Sequence, residues 1–570
     1  MKKILLTLVI FQLCLFVNAQ TIPTKHEDHK TIFKDNGEIY FMFNVSKKSD
    51  LDFVSRIVSV DKIVDGVVFA YANIEEFENF LNHNFEYTIL KKPHEGCSFK
   101  MYDVISKKNK AWDSYPTYSA YESMMYQFEI DYPQLCRIDT IGILSSGKKL
   151  LVARITDKPD IEENEPEFLY TSSMHGDEIC GYVLMLRLID YLLSNYDTDP
   201  IATNIVNNVE IWINPLANPD GTYAGGNDSV HDATRNNANY IDLNRNYPDP
   251  EDGPHPDGNI WQPETQFFMD FADSNNFDMA ANFHGGAEVV NYPWDTWSQL
   301  AADDNWWIYV SSQYADTAQN NSPSTYFDGF NDGISNGYAW YSISGGRQDY
   351  MNYFKHCREV TIEISNQKIL FENQLLSHWN YNYKSLINYM EQSLFGLRGI
   401  LSDSITNVPI KGKIFINGHD MDSSHVYSSL PVGDYHRYLF AGNYNVTYSS
   451  PGYKSKTING INITNDSTTV LDVQLVPNGT GIYQKTDDEI VNIYPNPAKN
   501  IFFIEIEKPV GKIFNVELID TDGRMIYIDH FISYSNTNLS IDVSDFNSGI
   551  YFLRLFDNEN VYCKKIIIHK

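Results

Sequence analysis

The sequence predicts a central α/β domain, a mixed sheet with helices on both faces, preceded by a small α+β unit and followed by two small all-β sandwich modules. Three changes of texture carry that prediction. Residues 20–112 alternate short strand-like runs with short amphipathic ones, and from 113 strand-like runs alternate with longer helical patterns. From about 396, short strands recur with turn signals at regular spacing. At 570 residues the chain is too long for one domain, and size alone calls for roughly three or four.

The first element is a leader. Lys2 and Lys3 precede an apolar run from Ile4 to Val17, and Val17-Asn18-Ala19 places small residues where a signal peptidase reads. Residues 1–19 are therefore expected to be a signal peptide, cleaved after Ala19. The run is too short for a membrane span, and no later segment reaches the roughly eighteen apolar residues a spanning helix needs, so no span is expected in the mature protein.

A formal charge of -31 with 21% charged residues argues against nucleic acid or an anionic membrane as partner. Of six cysteines, Cys14 lies in the leader. Cys97, Cys136, Cys180, Cys357 and Cys563 show no C-x-x-C spacing, so cysteine is neither the metal ligand set nor a dense disulfide framework. One or two bridges remain open.

In residues 20–112 the runs GEIYFMFNV, SDLDFVSRIV, GVVFAYANI, EEFENFLNH and EYTIL suggest strand, helix, strand, helix, strand. An accessory or inhibitory pro-segment fits that position, as does a plain structural module.

The stretch TSSMHGDEICG, residues 171–181, organises the domain at 113–395. His175 and Glu178 sit three apart between the strand-like EFLYTSSM and CGYVLMLRLIDYLLSNY, which is apolar nearly all round and long enough for a buried helix. An imidazole and a carboxylate on one tight turn can reach a single cation. Catalytic zinc takes three protein ligands and leaves a position for water, so a third ligand is needed. VEIWINPLANPDG ends a strand with a turn signal, and TRNNANYIDLNRNYPD gathers Arg235, Asp242, Asn244 and Arg245. Such groups suit planar recognition of a carboxylate or a developing oxyanion. His284 supplies the missing imidazole after an apolar run, ahead of Gly285 and Gly286, which let backbone pass close to a ligand. Glu363, in CREVTIEIS, is an inward strand carboxylate, costly to bury without a partner or a task.

HGDE at 175–178, NPDG at 218–221, RNNANYIDLNRNYPD at 235–249, WQPET at 261–265, NFHGG through NYPWD, NGYAWYSISGGRQDY and TIEIS, in that order, resemble the zinc metallocarboxypeptidases. The resemblance is to the branch of carboxypeptidases N, E, D and M. It implies that His175, Glu178 and His284 bind Zn²⁺, with Asp242 orienting His175 from behind. It further implies Glu363 as general base and Arg235 as the group that polarises the scissile carbonyl. Asn244, Arg245 and Tyr341 would hold the substrate's free α-carboxylate, so that one residue at a time leaves a peptide or protein C-terminus. Asp295 aligns with the acid that gives this branch its preference for C-terminal Lys or Arg, and Gln348 with the polar residue of the opposite pocket wall. Two departures bear on that preference: Arg347 stands where the branch has an uncharged residue, and Glu288 where it has an apolar one. If Arg347 reached Asp295 it would neutralise the pocket.

Residues 396–476 contain GLRGILSDS, GDYHRYLFAGNYNVTYSS and PGY, and resemble the transthyretin-like β-sandwich of the same branch, a folding or docking partner. An independent sugar- or surface-binding module is the alternative. Residues 477–489 read as a linker. In residues 490–570, YPNP, then DGR, then G-I-Y and a basic apolar tail resemble the C-terminal sorting domain of bacterial type IX secretion. That implies the type IX machinery as partner and a secreted or outer-surface location.

The expected activity is thus an exported zinc metallocarboxypeptidase for C-terminal Lys or Arg. A zinc peptidase for cell-wall peptides and a non-catalytic surface-binding protein of the same fold are the alternatives.

Overall fold

The computed structural model describes residues 33, 37–103, 112–478, 491–506, 513–521, 523–532, 537–556 and 561–570. The expected signal peptide and most of the expected linker lie outside the described residues.

The N-terminal unit comprises β1 (Ile39–Asn44), α1 (Lys48–Val54), β2 (Ser59–Val64), β3 (Val67–Ala72), α2 (Ile74–Leu81) and β4 (Tyr87–Leu90), with the strands in one antiparallel sheet of order β2-β3-β1-β4. The expected order lacked β2. SDLDFVSRIV is helical only to Val54; beyond it SVDKIV pairs with β3 through a tight turn whose Asp65 and Gly66 both take positive φ, the two-residue hairpin geometry that favours such residues. Asn73 caps α2 by accepting from the N–H groups of Glu75 and Glu76, while Glu76 returns a bond to the Asn73 N–H. Phe41, Phe43, Phe77 and Phe80 form the core, which also takes in Tyr341 and Ile343 from the central domain.

The central domain contributes α3 (Tyr118–Asp131), β5 (Cys136–Ile143), β6 (Lys149–Ile155), β7 (Glu167–Ser172), α4 (Cys180–Ser194), β8 (Glu210–Asn214), α5 (Pro263–Ser274), β9 (Met279–His284), β10 (Glu288–Tyr292), α6 (Asp304–Asn320), β11 (Ile334–Asn336), α7 (Arg347–Phe354), β12 (Arg358–Ile364) and α8 (Glu372–Glu391). Its eight strands run in the order β11-β10-β12-β9-β7-β8-β6-β5. The four in the middle, β12, β9, β7 and β8, are parallel, while β6 and β10 join them antiparallel. Side chains alternate across the pleat. Leu151, Ala153, Phe168, Tyr170, Ile211 and Ile213 therefore share one core with α3, α4, α6 and α8. Leu150, Val152, Leu169 and Trp212 share another with Phe268 and Phe271 of α5 and Met351 of α7. Helices thus cover both faces.

From Gly396 most of the chain forms a second compact unit. In its first part Gly396–Asp403 is central to one sheet and Lys413–Ile416 to another, and the Tyr435 and Tyr448 hydroxyls meet at 3.0 Å between them. In the last part a three-stranded and a four-stranded sheet enclose one core, with Phe502, Ile504 and Ile541 from the first and Val516, Leu518, Leu553 and Leu555 from the second. Both are all-β, as expected. The cysteines Cys97, Cys136, Cys180, Cys357 and Cys563 are free thiols, which answers the open question of bridges.

Candidate active site

Open α/β sheets bind ligands beyond the carboxyl ends of their parallel strands. Here three adjacent parallel strands deliver the site: the turn after β7 carries His175 and Glu178, β9 ends at His284, and β12 carries Glu363 near its end. The His-Glu turn is packed tightly against the turn after β8. A Cβ on Gly176 would stand 2.4 Å from the backbone of Gly221, so only glycine fits.

His175 Nδ1, Glu178 Oε2 and His284 Nδ1 form a triangle with sides of 3.0, 2.9 and 3.0 Å, every member 2–3% exposed. Ligands about 2.0–2.1 Å from a tetrahedral zinc lie roughly 3.3 Å apart, close to these separations. His175 Nε2 donates to Asp242 Oδ1 at 3.0 Å. That bond places the ring proton on Nε2 and leaves the Nδ1 lone pair facing the triangle. The three donors therefore fit zinc by chemistry, spacing and tautomer.

The surrounding charges support an ionised Glu178. Burial raises its pKa, but His175 and Lys368 outweigh it and hold the carboxyl well below the usual range. Lys368 Nζ lies 2.7 Å from Glu178 Oε1 and Arg235 Nη1 3.1 Å from the same oxygen. Arg235 Nε also reaches Asp242 Oδ2 at 3.1 Å. Glu363 has the opposite character: burial, then the charge of Glu178, pushes it well above the ordinary range, and its Oε2 is buried without a hydrogen-bond partner.

The other residues singled out above surround this centre. Asn244 donates its N–H to Asp242 Oδ1 at 2.8 Å and accepts the Arg347 N–H on Oδ1 at 2.9 Å. Arg245 bonds the Asn244 carbonyl through Nη1, leaving Nε and Nη2 buried and unpartnered beside a cavity of about 490 Å³. Tyr341 is 7% exposed and packs into the core of the N-terminal unit. Asp295 is 2% exposed and accepts from Asn291 Nδ2 at 2.9 Å; burial pushes it up to about 6 against that bond. A Cβ on Gly337 would fall 1.8 Å from its Oδ1, so glycine there makes room for the carboxylate. Gln348 Oε1 accepts the Thr361 N–H at 2.7 Å, and its Nε2 has no partner.

The two departures resolve without touching Asp295. Arg347 is paired with Glu359 at 3.0 Å and donates to Thr171 Oγ1 at 2.6 Å. Glu288 accepts from the Phe327 and Asn366 N–H groups, tying two loops. Sequence reasoning missed two residues. Lys368 is one; a lysine set directly before the apolar pair Ile369-Leu370 was the signal. Asp349 is the other: it accepts the N–H groups of Asp295 and Thr296 at 3.0 and 2.8 Å, and so anchors the backbone at Asp295.

Residues 121–385 match the family model described as zinc carboxypeptidase, and 492–569 match the secretion system C-terminal sorting domain. Carboxypeptidase SOL1 of Arabidopsis thaliana is 37% identical over 351 residues, 60% of this chain and 69% of that protein. The human carboxypeptidase N catalytic chain is 33% identical over 374 residues, 59% of this chain and 80% of its own. Human carboxypeptidase D is 35% identical over 362 residues; the match spans 59% of this chain and only 25% of that longer protein. The likeness extends over most of the length of the first two relatives, and the buried His-Glu-His triangle is intact. The chain therefore belongs to the zinc carboxypeptidase family, with Zn²⁺ as its cofactor and a sorting domain at its C-terminus.

Proposed function

We propose that this enzyme removes single Lys or Arg residues from the C-termini of exported peptides or proteins, working at or beyond the cell surface. The observation that carries the basic preference is the buried Asp295 carboxylate, which has no cationic side chain bonded to it while Arg347 is committed to Glu359. A buried acid left without a cation is penalised by about 2–5 kcal/mol, so a substrate ammonium or guanidinium is favoured over an apolar side chain.

The chain's own residues divide the work. Arg245, with two unpartnered donors, and Asn244 hold the substrate's α-carboxylate, and Tyr341 closes over it. That clamp restricts cleavage to the last residue. Gln348 offers its free Nε2 at the pocket wall opposite Asp295. His175, Glu178 and His284 would hold zinc, which would supply Lewis acidity and lower the pKa of a water to about 7. Glu363 takes a proton from the attacking water as its oxygen bonds the carbonyl carbon, and returns a proton to the amine nitrogen as the C–N bond breaks. Arg235, with Nε and Nη1 engaged, directs Nη2 to the oxyanion. Asp242 keeps both His175 and Arg235 in place.

The sorting domain supports export, and the basic n-region, apolar run and Ala19 support a cleaved leader ahead of type IX passage. Among the described residues no helix is long and apolar enough to cross a membrane.

The test is hydrolysis of blocked dipeptides ending in Arg, Lys, Leu, Phe or Glu, with and without a zinc chelator. Chelator-sensitive release of Arg and Lys ahead of the others is expected. Faster release of Leu or Phe would overturn the basic preference.

A further inference from the structure

In the proposed pocket the two ends come from different loops. Asn244 and Arg245, at the α-carboxylate end, begin a stretch that runs on to Asp249, whereas Asp295, at the side-chain end, lies in the turn after β10. A third loop, residues 342–346, leads into α7. Two carboxylates and one hydroxyl tie the three loops together, and Asp249, Thr296 and Asp349, which carry them, are 2%, 3% and 1% exposed. Asp349, in the first turn of α7, takes the Asp295 N–H on its two oxygens at 3.1 and 3.0 Å and the Thr296 N–H at 2.8 Å. The Thr296 hydroxyl donates to Asp249 Oδ1 at 3.2 Å, and Asp249 Oδ2 accepts the Gly345 N–H at 3.1 Å. Ser344 adds a bond from its hydroxyl to Asp252 at 2.7 Å.

Two glycines show how closely these loops run. Gly345 has a φ of +74°, and a Cβ there would stand 2.2 Å from the Arg245 carbonyl oxygen. At Gly346 a Cβ would stand 3.6 Å from Asp295 Oδ2 and 3.7 Å from Asn244 Oδ1, so a single residue's backbone separates the two ends of the pocket. Burying a carboxylate is costly unless hydrogen bonds offset it, and here the offset comes from donors on neighbouring loops. Bonds of that kind are charge-assisted and directional, which makes them suited to fixing one loop against another. The Asp295 carboxylate takes its own bond from Asn291. Asp349 therefore acts on it through the backbone, and Asp249 acts through Thr296.

We propose that Asp249, Thr296 and Asp349 are positioning residues that fix the span between the α-carboxylate clamp at Asn244 and Arg245 and the carboxylate of Asp295. They thereby set the length of the C-terminal side chain that the enzyme accepts. The proposal rests on the reading of Arg245 and Asp295 as the two ends of the pocket for the departing residue. A cationic side chain held at its own α-carboxylate must bridge that span with staggered torsions. One methylene too few leaves the ammonium short of Asp295, and one too many forces the chain to buckle. A single methylene is typically worth about 10- to 200-fold in an enzyme pocket. Without the Thr296 hydroxyl, the loop carrying Asp295 loses its tie to Asp249, and the carboxylate can follow ammonium groups of other reach.

The experiment compares the full-length chain with its Thr296→Val, Thr296→Ser and Asp349→Asn variants on dipeptides that share one blocked acyl residue. The dipeptides end in diaminobutyrate, ornithine, lysine or homolysine, whose ammonium groups stand on two to five methylenes, or in norleucine, which matches the lysine carbon chain without the charge. Bound zinc and thermal melting report folding. In the unmodified chain kcat/KM is expected to peak at lysine, at least about tenfold above ornithine and homolysine. Thr296→Val and Asp349→Asn should each reduce that contrast to about threefold or less, while Thr296→Ser, which restores the hydroxyl, should keep it. A flat profile in the unmodified chain would overturn the proposal. So would an equal fall at every length in the folded variants, which is what plain scaffolding gives. Norleucine released as fast as lysine would refute the basic preference itself. Lysine preferred over norleucine with no dependence on length would refute only the fixed span. Calorimetric binding of the free amino acids, which carry the same α-carboxylate and ammonium, reads the length order without turnover. Equal affinities across the series, or an order unchanged in Thr296→Val, would count against the proposal.

Discussion

His284 and Glu363 stand opposite one another in register on the adjacent parallel strands β9 and β12. Partners in a parallel ladder point to the same face, so the last metal ligand and the free carboxylate share one rigid step of the sheet. Glu363→Gln keeps this geometry and removes the proton acceptor. Turnover of a C-terminal Arg substrate is expected to fall about 10²- to 10⁴-fold with zinc content unchanged, as kcat and metal analysis would show. Retained turnover would remove Glu363 as the base.

Asp242 holds the His175 tautomer and braces Arg235. Asp242→Asn can donate where the carboxylate only accepts, so it opposes the ring proton on His175 Nε2. Zinc affinity should weaken about 10- to 100-fold, measured by competition with a chelator. An unchanged affinity would mean that the imidazole orients itself.

Burial sets Asp295 at about 6. Below that value its carboxyl is neutral, and above it the carboxyl is ionised. The ratio of kcat/KM for C-terminal Arg over Leu should therefore rise from about pH 5 to about pH 7.5 and then level off. A folded pKa above the usual carboxylate value also means that this group's contribution to stability is full at low pH and lost as pH rises through 6. A flat ratio across the range would detach Asp295 from specificity.

Arg347 and Glu359 form a buried pair with side chains 2% and 0% exposed. Arg347→Met leaves Glu359 without its cation, and a loss of about 3–5 kcal/mol is expected in denaturant unfolding. The Arg-over-Leu ratio of the folded variant should stay as it was. A changed ratio would return Arg347 to the pocket.

The local signals were strong wherever one short stretch holds a complete piece of chemistry. His175 and Glu178 lie in a single turn between a strand and an apolar helix, and His284 closes an apolar run, so all three ligands were legible as candidates. The alternation of short and long periodic segments announced the central sheet, and the two all-β modules announced themselves by turn spacing. The miss in the N-terminal unit was local in origin. SVDKIV follows α1 without a strong break, and it is the Asp65-Gly66 turn that folds it back onto β3.

What the sequence determined by itself was the inventory: a zinc donor set, a guanidinium-rich loop, an inward strand carboxylate, an acid at Asp295 and a C-terminal sorting domain. These follow from residue types and short spacings, which survive any arrangement of the rest. Partnership was decided only by the tertiary structure. Arg347 pairs with Glu359, Lys368 with Asp61 and Glu178, and Glu38 with the backbone at Arg235. Each joins groups far apart in the chain, except the first, whose twelve-residue separation spans the connection from α7 to β12. A buried charge takes the nearest opposite charge or donor that packing leaves it. Which one that is depends on the crossing of strands and the seating of one unit on another, and no spacing in the sequence encodes it.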